Sequence, residues 1–156
     1  MDLIILAIYP QSIIMINLNN LRHVNDVYGH ETGNELIITS AKIISDVFKR
    51  SPVFRIGGDE FCILCPTKQN GNYLKLVLDK INEDILRSIP EVRIEYPLSY
   101  GFSCYKKEIT DRHLIDVFEE ADLMMFKMKK YCPISKEIGQ YHVILLYSYL
   151  VPKIRS

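Results

Sequence analysis

Arg55-Ile56-Gly57-Gly58-Asp59-Glu60-Phe61 is the densest group of chemistry-bearing residues in the sequence. Two glycines permit positive φ and let a phosphorylated ligand approach the main chain without meeting a Cβ. Two adjacent carboxylates follow at once. Val53 to Ile56 and Glu60 to Cys65 both have strand character, so the segment reads as a hairpin with Asp59 and Glu60 exposed at its tip. An ordinary solvent-exposed turn has the same composition, and the string needs support from elsewhere in the chain.

The cysteines suggest a second chemistry and do not sustain it. Cys62 and Cys65 have C-x-x-C spacing but lie in an apolar strand-like run, where residues three apart face opposite sides. They read as two small buried hydrophobes.

The elements that must position the Gly-Gly-Asp-Glu segment follow from periodicity. Ser12 to Asn17 is a short β-branched run that suits a buried strand meeting a turn. From Gly33 onward Ile37, Ala41, Ile44 and Phe48 recur at helical spacing, with a stop before Pro52. A polar loop, Lys68 to Asn72, precedes a second stripe of Leu74, Val77, Leu78, Ile81, Ile85 and Ile89 that ends at Pro90. Ile94 to Tyr105 returns to strand character. Asp111 then opens a third long helix with Leu114, Phe118, Ala121, Met125 and Met128 on its buried face, ended by Cys132-Pro133. The apolar segment Tyr141 to Leu150 reads as a last strand at a sheet edge. The order implies an α+β domain with a central, mostly antiparallel sheet flanked by helices.

Length and charge narrow the function classes. The 156 residues, 48% of them hydrophobic, suit one domain with a single core. Basic and acidic residues balance at 19 each, so there is no broad footprint for nucleic acid or an anionic membrane, and an anionic ligand must be held by local features. Neither the N-terminal apolar run nor Tyr141 to Val151 reaches the roughly 20 residues of a membrane span. The N-terminus lacks the pattern of a signal peptide, and the expectation is a soluble, cytoplasmic protein.

Upstream, Leu21-Arg22-His23-Val24-Asn25-Asp26-Val27-Tyr28-Gly29-His30-Glu31-Thr32-Gly33-Asn34 follows the first strand. Together with Gly57-Gly58-Asp59-Glu60-Phe61, Ser99-Tyr100-Gly101 and Ala121-Asp122 through Lys129, this segment resembles the GGDEF domain of bacterial diguanylate cyclases over about residues 12–130. The resemblance implies a palm-like fold, akin to the ferredoxin-like nucleotidyl cyclases, and a homodimer in which two GTP molecules are condensed to cyclic di-GMP with release of pyrophosphate. It implies Mg²⁺, or Mn²⁺, held by Asp59, Glu60, the Leu18 carbonyl and Asn17. Asp59, Glu60, Gly57 and Gly58 form the candidate catalytic set. Asn25, Asn34, Lys129 and Arg55 are the candidate substrate contacts, with GTP or another purine nucleoside triphosphate as ligand.

Several positions depart from the family pattern. Asn17 and Asn19 stand where the family has acids on its first strand, and Asn34 stands at the guanine-reading aspartate. An asparagine supplies a carbonyl oxygen but no charge, so metal affinity and base discrimination are expected to weaken. Phe48 and Ser51 occupy the places of the arginine-x-x-aspartate feedback site, and product inhibition there is not expected. A degenerate domain that binds a nucleotide or a protein partner without chemistry is the alternative. Plainer roles also remain open: Gly29, His30 and Gly33 shaping a loop between helices, Asn25 and Asp26 capping helices, and Lys129 belonging with Lys127 and Lys130 to a solvated basic helix end.

Overall fold

The computed structural model describes residues 11–105 and 113–131, apart from the side chain of Tyr131. Strand β1 (Ser12–Leu18) is buried along its whole length. It pairs antiparallel with β3 (Glu60–Cys65) on one side and β4 (Leu98–Cys104) on the other. β2 (Val53–Arg55) pairs with the far edge of β3, giving the order β2-β3-β1-β4. The register sets Asn17 between Glu60 and Ser99. Helix α1 (Leu21–Tyr28) follows β1, α2 (His30–Val47) precedes β2, α3 (Gly71–Ser88) links β3 to β4, and α4 (Leu114–Tyr131) comes last.

Strand alternation divides the core. Ile14, Ile16 and Leu18 point to one face, where they meet Val24 of α1, Leu36 and Ile44 of α2, and Leu74 and Leu78 of α3. Ile13 and Met15 point to the other, against Val117, Phe118, Ala121 and Met125 of α4. A period of two across a sheet covered on both sides requires this arrangement. Cys62 and Cys65 fall into different cores and both are free, as their strand spacing predicts. The α+β architecture expected from the sequence, a central antiparallel sheet flanked by helices, is the one observed. No described helix is long and apolar enough to cross a membrane.

Several boundaries differ from the periodicity reading. α2 begins at His30, not Gly33, because Gly29 at φ 92° turns the chain from α1 directly into α2 while its N–H closes onto the Asn25 carbonyl at 3.0 Å. α3 begins at Gly71, inside the expected loop, because the Asn70 side chain accepts from the Asn72 and Tyr73 amides at 3.0 and 3.1 Å. β4 begins at Leu98 rather than Ile94. Proline has no N–H for the ladder, and the Pro97 carbonyl instead takes the Asn19 amide at 2.8 Å. Asp111, the Cys132-Pro133 stop and the expected strand at Tyr141 to Leu150 lie outside the described residues.

Gly101 fixes how α4 sits on the sheet. A Cβ there would collide with the Ala121 carbonyl and the Met125 amide, so β4 and α4 touch backbone to backbone. Neither contact is with the far end of a flexible side chain, so an added methyl must displace the helix. Gly101→Ala is therefore expected to destabilise the fold by about 3 kcal/mol, the upper end of overpacking effects. Urea denaturation measures this, and a loss below about 0.5 kcal/mol would show that α4 moves aside freely.

Candidate functional site

The end of β1 gathers polar side chains from three distant parts of the chain. Asn17, Glu60 and the α4 stripe share one face of the sheet, because Asn17 is in phase with Ile13 and Met15, and Glu60 is in phase with Cys62. Lys129 lies two helical turns beyond Asp122, on the same side of α4, and its Nζ donates to Asn17 Oδ1 at 3.1 Å. Asp122, on that same face, is 6% exposed.

Asn17 is fully buried, and its orientation is determined by its partners. Lysine can only donate, so the amide oxygen must face Lys129. The amide nitrogen donates to Asn19 Oδ1 at 3.2 Å. Asn19 Oδ1 also accepts from Ser99 Oγ at 3.0 Å, and Asn19 Nδ2 donates to the Tyr96 carbonyl at 2.9 Å. This buried relay locks the amide with one oxygen towards Lys129.

Glu60 corrects the sequence reading. It was expected exposed beside Asp59 at a hairpin tip, but it is the first residue of β3, directly opposite Asn17, and only 3% exposed. Burial pushes its carboxyl up to about 7, with Asp59 and Asp122 raising it further and Lys129 opposing them. Asp59 itself stays at the turn and is half-buried, its carbonyl accepting from the Leu18 amide at 2.6 Å.

The turn glycines also behave differently from expectation. Neither Gly57 nor Gly58 has positive φ. Their contribution is the missing side chain: nothing lies within 4 Å of where a Gly58 Cβ would stand, and a Gly57 Cβ would touch Glu60 Oε2 at 3.4 Å. Arg55 is exposed and braces this turn by donating to the Gly58 carbonyl at 2.8 Å.

Asn25 packs against Gly33, the residue before Asn34, at the corner between α1 and α2. Gly33 permits it, since a Cβ there would collide with Asn25 Oδ1. That oxygen is buried and has no hydrogen-bond partner among the described residues. Asn34 follows Gly33 on α2 and is exposed. Asn25 and Asp26 lie inside α1 and cap nothing, whereas Asn20, at φ 60°, is its N-terminal boundary. His30 is an exposed first residue of α2. The reading of Lys129 as merely a solvated helix end is replaced by its bond to Asn17.

Asp122 and Ser99 were not singled out as site residues in the sequence. The signal for Asp122 was an acid on an otherwise apolar helical stripe, seven residues before Lys129. Ser99 had none beyond its strand register. A cleft of about 780 Å³ between α3, β4 and α4, lined by Asp79, Tyr96, Tyr100 and Met124 among others, contains none of the candidate residues.

A divalent ion fits this donor set in type. The Asp59 and Glu60 carboxylates, the Asn17 amide oxygen and the Leu18 carbonyl are the hard oxygens that Mg²⁺ and Mn²⁺ accept. Among the described residues, however, no three Asp, Glu, His or Cys side chains converge closely enough to hold a metal ion by themselves. An ion held here would therefore also draw on neutral oxygens such as the Leu18 carbonyl.

Residues 7–132 match the family model described as the diguanylate cyclase, GGDEF domain. The chain is 32% identical to the uncharacterized protein YtrP of Bacillus subtilis over 119 residues, covering 75% of this chain and 20% of that one. It is 27% identical to diguanylate cyclase DosC of Escherichia coli over 116 residues, covering 72% of this chain and 25% of that one. The chain thus spans a quarter or less of these curated relatives. In structure it is similar to the active GGEEF domain of a diguanylate cyclase from Vibrio cholerae, with TM-score 0.57, 26% identity and 76% of each chain covered. The GGDEF domain of DgcB from Caulobacter crescentus, in complex with c-di-GMP, shares the fold at TM-score 0.61 and 20% identity, with 76% of this chain and 71% of that one covered.

Burial of Glu60 has a pH consequence. With its folded value near 7 and its ordinary value at 4.5, the folded protein holds this proton more tightly than the unfolded chain does between those values. Stability contributed by the protonated form is present below 4.5, declines as pH rises towards 7, and changes no further above that. Glu60→Gln, which mimics the protonated acid, is therefore expected to gain roughly 1–3 kcal/mol relative to wild type between pH 5 and pH 8. Paired denaturant melts at the two pH values measure it; an unchanged difference would mean that Glu60 ionises freely in the fold.

Proposed function

The chain belongs to the GGDEF-domain family, and from that premise we propose that it is a nucleotidyl cyclase of the diguanylate cyclase type, condensing two GTP into cyclic di-GMP with release of pyrophosphate. The observation that carries this reading is the meeting of Asn17, Glu60 and Lys129 at the end of β1, beside a side-chain-free Gly57-Gly58 turn. Carboxylates, a cation and open backbone are what a triphosphate site needs.

In this reading the 3′-hydroxyl of each GTP attacks the α-phosphate of the other across a homodimer. Each attack forms one phosphorus–oxygen bond, breaks one α–β anhydride and releases one pyrophosphate, so two pyrophosphates leave for each cyclic di-GMP. Where it is not itself a metal ligand, Glu60, poised near neutrality, is suited to take the hydroxyl proton. Lys129 offers a point charge to phosphate oxygens, and the Gly57-Gly58 turn leaves room for them, with Arg55 holding its shape. Asn25 and Asn34, at the corner between α1 and α2, are assigned to the base. Mg²⁺ or Mn²⁺, where bound, would be held by Asp59, Glu60 and the Leu18 carbonyl, with the Asn17 oxygen available only if Lys129 releases it, and would supply neutralisation of phosphate charge.

A second reading, nucleotide binding and signalling without turnover, is favoured by one observation: the oxygen offered by Asn17 already accepts from Lys129. Incubation of the purified protein with GTP and either ion, followed by mass spectrometry of the products, separates the two. Cyclic di-GMP is expected, more of it with Mn²⁺ than with Mg²⁺, because Mn²⁺ tolerates a charge-poor, imperfect oxygen site better. Asp59→Ala should abolish product while leaving the melting curve near wild type, since a half-buried turn carboxylate supports little packing. Product formation undiminished in that variant would remove Asp59 from the site.

Base selection follows from hydrogen-bond counting. Guanine presents donors at N1 and its exocyclic amine, whereas the Asn34 amide presents one acceptor and one donor and can also match adenine. GTP is expected to bind over ATP by less than about tenfold, and Asn34→Asp should restore a preference of roughly a hundredfold or more. Calorimetric titrations of both proteins decide it; a wild-type preference already near a hundredfold would mean that another residue reads the base.

A further inference from the structure

A carboxylate at the end of β1 would carry two oxygens and a charge, enough to serve an ammonium and a metal ion together. Asn17 brings one oxygen and none of the charge. Its other end is a donor, fixed on Asn19 Oδ1 at 3.2 Å, and full burial prevents it from turning to water instead. The single oxygen is given to Lys129 at 3.1 Å. A divalent ion on that same oxygen would stand beside a lysine ammonium, and the two cations repel strongly at such range. The α4 backbone is pinned to Gly101 of β4, which limits how far the lysine's helix can retreat.

We propose that the Lys129 ammonium is a built-in cation at the end of β1, and that it takes the place of a divalent ion in binding the nucleoside triphosphate. This rests on the nucleotide-binding reading above and concerns how the phosphate charge is met. Asn17 and Lys129 act as one unit: the amide positions the ammonium, and the ammonium faces the phosphates. Glu60 and Asp122 lie on the same face and complete its electrostatic surroundings. Binding of triphosphate is then nearly indifferent to divalent ions, even where turnover benefits from them.

The test is calorimetric titration of the full chain with a non-hydrolysable GTP analogue, once in EDTA and once with excess Mg²⁺. The wild-type Kd should differ by less than about threefold between the two conditions. Lys129→Gln should weaken binding at least about tenfold in EDTA and recover much of it with Mg²⁺, since the ion can now take the vacated oxygen. Lys129→Arg keeps the charge and should retain the wild-type indifference. Asn17→Asp should make binding at least about tenfold tighter with Mg²⁺ than without. Wild-type binding that falls tenfold or more in EDTA overturns the proposal and leaves the nucleotide reading standing. An equal loss for Lys129→Gln in both conditions also overturns it, reducing Lys129 to a phosphate contact. Absence of binding by every variant in both conditions, with circular dichroism melts like wild type, overturns the nucleotide reading and this proposal together.

Discussion

β1 has neighbours on both edges and packed helices on both faces, so every polar group it carries must be satisfied inside the protein. That requirement organises the candidate site. Asn17 cannot reach solvent and is held by Asn19 and Lys129. Asn19 in turn engages Ser99 on the neighbouring strand and the Tyr96 carbonyl before it. A site built on a fully enclosed strand has few ways to relax, which is what preorganisation demands. The same enclosure raises Glu60, because a carboxylate at this depth gives up hydration that the nearby lysine only partly replaces.

The two sides of the sheet divide the labour. Three helices cover the face lined by Ile14, Ile16 and Leu18, and they form the larger core together with the corner that carries Asn25 and Asn34. One helix covers the other face, and it brings Asp122 and Lys129 to the strand ends. Asn25 and Asn34 on one side, Asp122 and Lys129 on the other, are thereby delivered by different layers that share β1 as their common reference.

Much of this was legible in the sequence because periodicity and local motifs carry it. The apolar run at Ser12, the helical stripes and the split of Cys62 from Cys65 follow from spacings of two and 3.6 residues. Element ends were harder, since each was decided by one hydrogen bond or its absence: the Asn70 cap, the Pro97 gap in the ladder, the Gly29 corner. Glu60 was misplaced for a related reason. Adjacent acids after a glycine turn look alike in sequence, and only the register opposite Asn17 separates the buried one from the half-exposed one. The link from Lys129 to Asn17 spans 112 residues and no local pattern reports it.

The bare contact between Gly101 and α4 has a mechanical side. From Ala121, which abuts Gly101, to Lys129 the helix advances about 12 Å at 1.5 Å per residue, so the lysine sits at the end of a lever whose fulcrum is a glycine. A tilt of about 5° at that fulcrum would swing the lysine's end of the helix by about 1 Å, a displacement of the size that disables well-ordered sites. Pressure on the outer surface of α4, where Leu123 and Phe126 are exposed, is therefore felt at the ammonium, about two helical turns from the point of contact.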